Sequence, residues 1–461
     1  MFKRIITFCL AIVMSVSLCA CGNYSEKDLL EYEPQEFEIT GLWIPHEISE
    51  EAFQTYKDAG FNVCSFTNHD EQPRSSENQY YLGSKRTMQV LEICKKIGID
   101  VYIAYGNSWF VHNIEGDDYF GDTPFSKHDY YGEYKDIIKG VHINDEPNKE
   151  KMAELANDTL INDFKKVYPN AKYIVNLIPE TAITSRNYTS YPEMLDHFGK
   201  GILSKFDNPY ISVDCYLYSN STAVGSNIIN NYNQIAKCAK EYGAETTFIL
   251  QSSTGKEFLP QLSEADIRQQ AYLAIAFGAD NLQYYCYSVP VGLAYDYCIL
   301  NPDGTPSVIY DAVKNVNAEV QSFASAALAY NWNQSIGVSG TEDTTFRVCS
   351  IEYDANFEKV NFTNAEKFVS ATSTQDIVVS QFVSEKYGEA YMFVNFSRND
   401  GSVNTVNAQF KNCGAVAIYG GAGYSGTPKI VKLDKNGNFA IELKYGEGVF
   451  VTKKKKKRHK T

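Results

Sequence analysis

The stretch Lys139-Gly-Val-His-Ile-Asn-Asp-Glu-Pro147 decides how this chain is read. A short β-branched run ends in one amide and two carboxyl side chains, Asn144, Asp145 and Glu146, and then a proline. Proline has no N–H to donate, so it ends a strand ladder. The three polar side chains then fall at a strand's C-terminal end, where parallel barrels keep their chemistry.

Working outward, seven further β-rich runs flank this one. They are Glu38–Ile44, Asn62–Phe66, Asp100–Tyr105, Lys172–Ile178, Tyr210–Tyr216, Thr246–Leu250 and Asn281–Tyr287, with Gly140–Asn144 as the fourth in order. Helix-period segments separate them: Glu50–Ala59, Ser84–Ile97, Lys149–Val167, Tyr191–Phe206, Ile228–Tyr242, Glu264–Phe277 and Pro306–Ala329. Ser263-Glu-Ala-Asp266 reads as a capping box. Gly60, Gly98, Gly243 and Gly278 each stand where a helix ends before a strand. Eight strands alternating with helices predict an α/β fold, a (β/α)8 TIM barrel. An open doubly wound sheet is the alternative. The first strand lacks the Gly-rich phosphate loop of its nucleotide-binding form.

After about residue 335 the helical period disappears. Short β-branched or aromatic runs take over, with an Asn436-Gly437 hairpin signal. This predicts a C-terminal β-sandwich. The expected organisation is a signal peptide at 1–21, a tether at 22–36, the barrel at 37–332, the sandwich at 335–452 and a basic tail at 453–461.

Lys3 and Arg4 precede an apolar run, Ile5 to Leu18, too short to span a bilayer. Leu18-Cys19-Ala20-Cys21 resembles a bacterial lipobox, which implies cleavage before Cys21 and a lipid on its sulfur. The expectation is an extracytoplasmic protein anchored to the membrane. Eight cysteines lie beyond Cys21, scattered and without a CxxC, which argues against zinc or a dense disulfide framework. No metal or cofactor is expected. Without Lys3, Arg4 and the seven Lys and Arg of 453–460, 33 basic residues face 56 acidic ones. Such a body repels nucleic acid. The tail is expected to contact anionic wall polymer or lipid headgroups, or to remain solvated.

The strand ends supply Trp43, Asn68, Tyr105, Asn107, His142, Asn144, Asp145, Asn176, Tyr216, Tyr218, Gln251, Tyr285 and Tyr287, with His46, His69 and Glu180 nearby. Sugars suit this mixture, because hydroxyls take paired polar partners and C–H faces stack on rings. Trp109 and Tyr131 are further candidate platforms. An oligo- or polysaccharide is the expected partner. Glycoside hydrolysis needs two carboxyl groups across the scissile bond. Glu146 is the expected acid, unless it only caps the next helix.

Asn144-Asp-Glu-Pro147 resembles the Asn-Glu-Pro signature of the large clan of (β/α)8 glycoside hydrolases, and the resemblance implies that Glu146 is the acid/base. Ile267-Arg-Gln-Gln-Ala-Tyr272, Tyr284-Tyr-Cys-Tyr287 and Asn301-Pro-Asp-Gly-Thr-Pro306 resemble the corresponding regions of β-galactosidase-like barrels. Tyr391-Met-Phe-Val-Asn-Phe396 and Gly446-Glu-Gly-Val-Phe450 resemble strands of the small sandwich that follows many of them. One position departs. The clan's nucleophilic glutamate ends strand seven, and here that strand ends in Gln251. Asp214 is the first candidate for the second carboxyl, with Glu180 or Asp145 behind it. The remaining reading is a lipid-anchored protein that binds glycan without cutting it.

Overall fold

The computed structural model describes residues 29–65, 85–104, 124–127, 129, 131–218, 226–255, 261–290, 293–341, 352–353, 362, 365–397 and 401–453. Eight parallel strands close into a barrel in chain order. They are β1 (Glu38–Gly41), β2 (Val63–Ser65), β3 (Asp100–Ala104), β4 (Ile138–Asp145), β5 (Lys172–Leu177), β6 (Tyr210–Asp214), β7 (Glu245–Gln251) and β8 (Asn281–Tyr285). β8 pairs with β1 and completes the ring. Around it run α1 (Glu50–Asp58), α2 (Lys85–Ile97), α3 (Pro124–Lys127), α4 (Lys149–Leu155), α5 (Asp158–Val167), α6 (Tyr191–Gly201), α7 (Ser226–Tyr242), α8 (Glu264–Ala276), α9 (Tyr310–Gln321) and α10 (Ala324–Ala327). All eight predicted barrel strands are present. The fold is a (β/α)8 barrel followed by antiparallel β-sheets.

Alternation explains the barrel. Along β5, Tyr173 and Val175 pack outward on the helices, while Ile174 joins Val63, Tyr102 and Tyr210 inside. Gly140 leaves room there for Ile174 and Tyr102, whose side chains a Cβ would meet at 2.6 and 2.9 Å. The predicted helix over 149–167 is two helices. Asn157 stops the first and caps the second, its Oδ1 accepting from the Thr159 and Leu160 N–H groups.

The C-terminal domain has two sheets. One has the order β10-β9-β12-β13-β18-β15-β16 and the other β11-β14-β17. The strands are β9 (Asn331–Val338), β10 (Glu352–Tyr353), β11 (Phe368–Ser373), β12 (Ile377–Ser384), β13 (Gly388–Asn395), β14 (Val403–Phe410), β15 (Ala415–Tyr419), β16 (Lys429–Lys432), β17 (Asn438–Lys444) and β18 (Gly448–Lys453). Their facing sides share one core, including Val379, Phe393, Phe410, Phe439 and Ile441. The outer face of the larger sheet, with Met392, Val394 and Phe450, joins the barrel's core. α8 lies between the two and is buried from Asp266 to Ala276. Its polar residues are paired: Arg268 Nε donates to Glu319 at 2.7 Å, and Gln269 Nε2 donates to the Asn395 carbonyl at 2.9 Å.

Two expected boundaries need correction. The division placed between 332 and 335 falls inside β9, which pairs with β12 and belongs to the second domain. The tether placed at 22–36 is docked from Leu29 onward, where Leu29 and Tyr32 pack on the core.

Candidate active site

β4, β5 and β6 bring three carboxyl groups together at the barrel mouth. Asn176, on β5, is the bridge. Its Nδ2 donates to Asp145 Oδ1 at 3.1 Å and to Asp214 Oδ1 at 3.0 Å. Its Oδ1 accepts from the Ser212 hydroxyl at 3.2 Å, which aims the amide NH2 at both acids. Glu146 has φ 45°, left-handed backbone that a non-glycine residue adopts at a cost of about 1 kcal/mol. Its N–H donates to the Asn176 carbonyl at 2.9 Å, and its carboxylate meets Arg186 Nη2 at 2.5 Å. Arg186 ends the 3-10 turn Glu180–Arg186 that follows β5.

The electrostatics follow from this crowding. Burial, then the charges of Glu146 and Asp145, push the Asp214 carboxyl well above the ordinary aspartate range, and a hydrogen bond with the Glu146 carboxyl adds to this. The Asn176 amide opposes the shift. Asp145 opens to solvent but stands among densely packed groups. That crowding, then the Glu146 charge, push its carboxyl up to about 6 against the Asn176 hydrogen bond and the Arg186 charge. Water still reaches it, which tempers the crowding. One proton shared between touching carboxyls belongs to the pair, not to either residue.

Beside the acids stands an aromatic wall. Trp43 meets Tyr285 edge-on at 5.0 Å between ring centroids, Tyr216 lies 5.5 Å from Tyr285, and the Tyr285 and Tyr295 hydroxyls are 3.1 Å apart. Trp43, like Glu146, has positive φ, at 59°. Deeper in the barrel, His142 Nε2 and the Ser65 hydroxyl are 2.7 Å apart, and burial pushes the imidazole down to about 4.

The structure therefore joins Asp145, Glu146, Asn176 and Asp214, with Asn144 on the same strand end, and it joins Trp43, Tyr216 and Tyr285. It corrects other expectations. Tyr218 lies away from the mouth, its hydroxyl donating to Gln269 Oε1 of α8 at 2.7 Å. Tyr287 packs on Tyr56 and Phe61 behind the barrel. Both follow the end of a ladder, where strand alternation no longer applies. Tyr131 is buried in the core and offers no platform. Glu180 is drawn to α7, receiving Gln234 Nε2 at 3.3 Å. Gln251 is fully buried at the end of β7, and its Oε1 accepts from the Tyr218 N–H at 3.3 Å. Asn68, His69, Tyr105, Asn107, Trp109 and Cys21 lie outside the described residues. Arg186 and Tyr295 were not anticipated. An arginine shortly after an inward asparagine strand end, beside an acidic mouth, is the signal that could have found the first.

No family model matches the chain, and no curated protein matches it. Among solved structures, a family 30 endoxylanase from Clostridium papyrosolvens C71 aligns with TM-score 0.42 at 12% identity, over 93% of this chain and 99% of that one. An α-L-arabinofuranosidase from Thermotoga maritima, in complex with arabinose, aligns with TM-score 0.45 at 11% identity, over 93% and 98%. A family 30 subfamily 8 xylanase from Clostridium acetobutylicum aligns with TM-score 0.44 at 10% identity, over 92% and 97%. The resemblance to (β/α)8 glycoside hydrolases is distant, and the fold assignment stands on the chain's own strand order.

Proposed function

We propose that the protein is an extracytoplasmic glycoside hydrolase, lipid-anchored through Cys21, that cleaves an extracellular glycan with its mouth carboxyls. The observation that carries this reading is the convergence of Asp145, Glu146 and Asp214 on Asn176, with the Asp214 carboxyl pushed well above the ordinary aspartate range. Hydrolysis needs one protonated and one ionised carboxyl at the same pH, and the cluster supplies both.

The Glu146–Asp214 pair gives its proton to the leaving glycosidic oxygen as the C–O bond breaks. Glu146, expected as the donor by resemblance, thus shares that role with Asp214. Asp145 is the ionised partner. Two oxygens hydrogen-bonded to one amide nitrogen stand at most about 6 Å apart, short of the roughly 6.5–9.5 Å of inverting pairs. Asp145 therefore attacks the anomeric carbon, and water activated by the Glu146–Asp214 pair then releases the sugar. Gln251 has no carboxylate to form a glycosyl ester. Tyr216, Tyr285 and Tyr295 support the sugar's apolar face, and Trp43, buried against Tyr285, braces them.

The test is release of reducing ends from a panel of polysaccharides and aryl glycosides, with the product anomer read by NMR. Asp214→Asn and Asp145→Asn are expected to lose turnover while KM changes little. A wild type that binds a panel glycan by calorimetry but releases nothing contradicts hydrolysis. It supports the second reading, binding without cleavage, which the glutamine at the end of β7 favours.

A further inference from the structure

We propose that the seam between the barrel and the larger C-terminal sheet is a second binding site for a neutral glycan chain, separate from the mouth. The choice of a glycan rests on the reading of the mouth given above. Two cavities adjoin along the seam, of about 690 and about 580 Å³, and share Lys240, Trp332 and Val383. Their α7 side runs from Asn233 to Gly243, just past the helix end, which is about 15 Å of chain. That length suits a short run of sugar units rather than a single small molecule. Glu245 and Thr246, which line the smaller cavity, begin β7. The seam therefore lies toward the strand starts, away from Asp145 and Asp214 at the strand ends.

The walls are held in place by the protein's own bonds. Lys240 Nζ donates to Asn333 Oδ1 at 2.6 Å and to the Asn333 carbonyl at 3.1 Å, which ties α7 to β9. Asn333 Nδ2 donates to Gln381 Oε1 at 2.7 Å, which ties β9 to β12. Trp332 Nε1 donates to the Ser335 hydroxyl at 2.9 Å and so fixes the indole. A ligand meets a preformed surface and orders few side chains on binding.

Asn233 is the group that points to a ligand. It is 5% exposed, it lines the larger cavity, and its side chain has no hydrogen-bond partner among the described residues. Asn331, at the rim of the smaller cavity, is exposed and likewise has no side-chain partner among them. An amide offers a donor and an acceptor together, and a sugar hydroxyl answers both. Val383 lines both cavities and is exposed, which gives the C–H face of a ring its apolar contact.

Charge argues for a neutral partner. The acids of the smaller cavity are engaged elsewhere: Glu245 meets Lys172 at 2.9 Å, and Asp280 accepts from the Thr246 N–H at 2.8 Å. The Lys240 ammonium is held by Asn333. Lys237 and Glu241, both exposed and one helical turn apart, bring opposite charges to the rim of the larger cavity. A polymer held here stays at high effective concentration near the mouth.

The test is affinity electrophoresis of the intact protein in native gels cast with xylan, arabinan, galactan, mannan or β-glucan. At least one polymer is expected to slow the wild type. Asn233→Ala with Asn331→Ala is expected to weaken that binding at least about five-fold, at an unchanged melting temperature, because neither amide bonds to the protein. Asp214→Asn is expected to keep the retardation. Hydrogen exchange of the wild type, with an oligosaccharide of the same polymer, is expected to slow at the C-terminal half of α7 and at β9. No retardation in any gel, retardation lost with Asp214→Asn but kept by the double variant, or exchange slowed only at the mouth would each overturn the proposal. Retardation without cleavage leaves this site standing and removes the hydrolase reading; cleavage without retardation does the reverse.

Discussion

The two ends of the barrel both gather carboxyl groups but hold them in different ways. At the bottom, Lys172 on β5 reaches Glu38 Oε2 at 2.5 Å, Glu245 Oε2 at 2.9 Å and Asn281 Oδ1 at 3.2 Å. It also lies 5.5 Å from the ring centroids of Tyr102 and Tyr210. Two carboxylates there are bonded to that ammonium, while Asp280, whose carboxyl burial pushes up to about 7, accepts from the Thr246 N–H. At the mouth, Arg186 pairs with Glu146 and its charge acts on Asp145, beside the Asp214 carboxyl. The strand starts thus hold two carboxylates on a central ammonium, whereas the strand ends hold two aspartates crowded on one neutral amide, with the arginine on the neighbouring glutamate. Carboxylates gathered on a cation hold the barrel together; carboxyls crowded on a neutral group store a proton for chemistry.

The largest expected effect breaks the mouth. Asp214→Asn or Asp145→Asn lowers kcat about 10²–10⁴-fold in steady-state assays. Asp214→Asn also raises the melting temperature, more at pH 8 than at pH 4. The sign follows from linkage: a carboxyl raised in the folded state binds its proton more tightly than in the unfolded chain, so the native form loses stability as pH rises above the unfolded value. An asparagine removes that loss.

Breaking the bottom acts on stability instead. Lys172→Met leaves Glu38 and Glu245 facing each other at the barrel floor and costs on the order of 3 kcal/mol in denaturant unfolding. The pH profile of kcat keeps its shape.

Arg186→Met sharpens the contrast with a smaller effect, roughly 10-fold in kcat/KM. The arginine's charge lowers the Asp145 carboxyl, so removing it raises that group further. The acid limb of the activity profile, which needs Asp145 ionised, therefore moves to higher pH.

His142→Asn has the least effect near neutrality. Folding depresses the imidazole from 6.5 to about 4, so the wild type loses stability as pH falls through that window. The variant, followed by thermal unfolding from pH 7 to 4, is expected to lose less.

The barrel was legible because its outward residues form near-continuous apolar runs between helix signals, and all eight strands stand where those runs lie. β9 was not, because Asn331-Trp-Asn-Gln-Ser335 opens on polar residues directly after a helical pattern. At the site, Asp145, Glu146, Asn176 and Asp214 could be read from strand ends alone. Arg186 lies on a turn, which has no period, and its partner is 40 residues earlier in the chain, so only its place shortly after the Asn176 strand end points to it. Tyr218 and Tyr287 were misplaced for a related reason. Alternation predicts a side chain's direction only while ladder hydrogen bonds hold the strand, and β6 and β8 end at Asp214 and Tyr285. The shared proton depends on the close approach of groups from different strands.

The most direct test of the mouth's stored proton is a carboxyl 13C NMR titration of the aspartates in the intact protein. Asp214 is expected to titrate well above the ordinary aspartate range, and Asp145 near 6. If both carboxyls ionise at ordinary aspartate values, near 4, the mouth holds no proton to donate and the account fails.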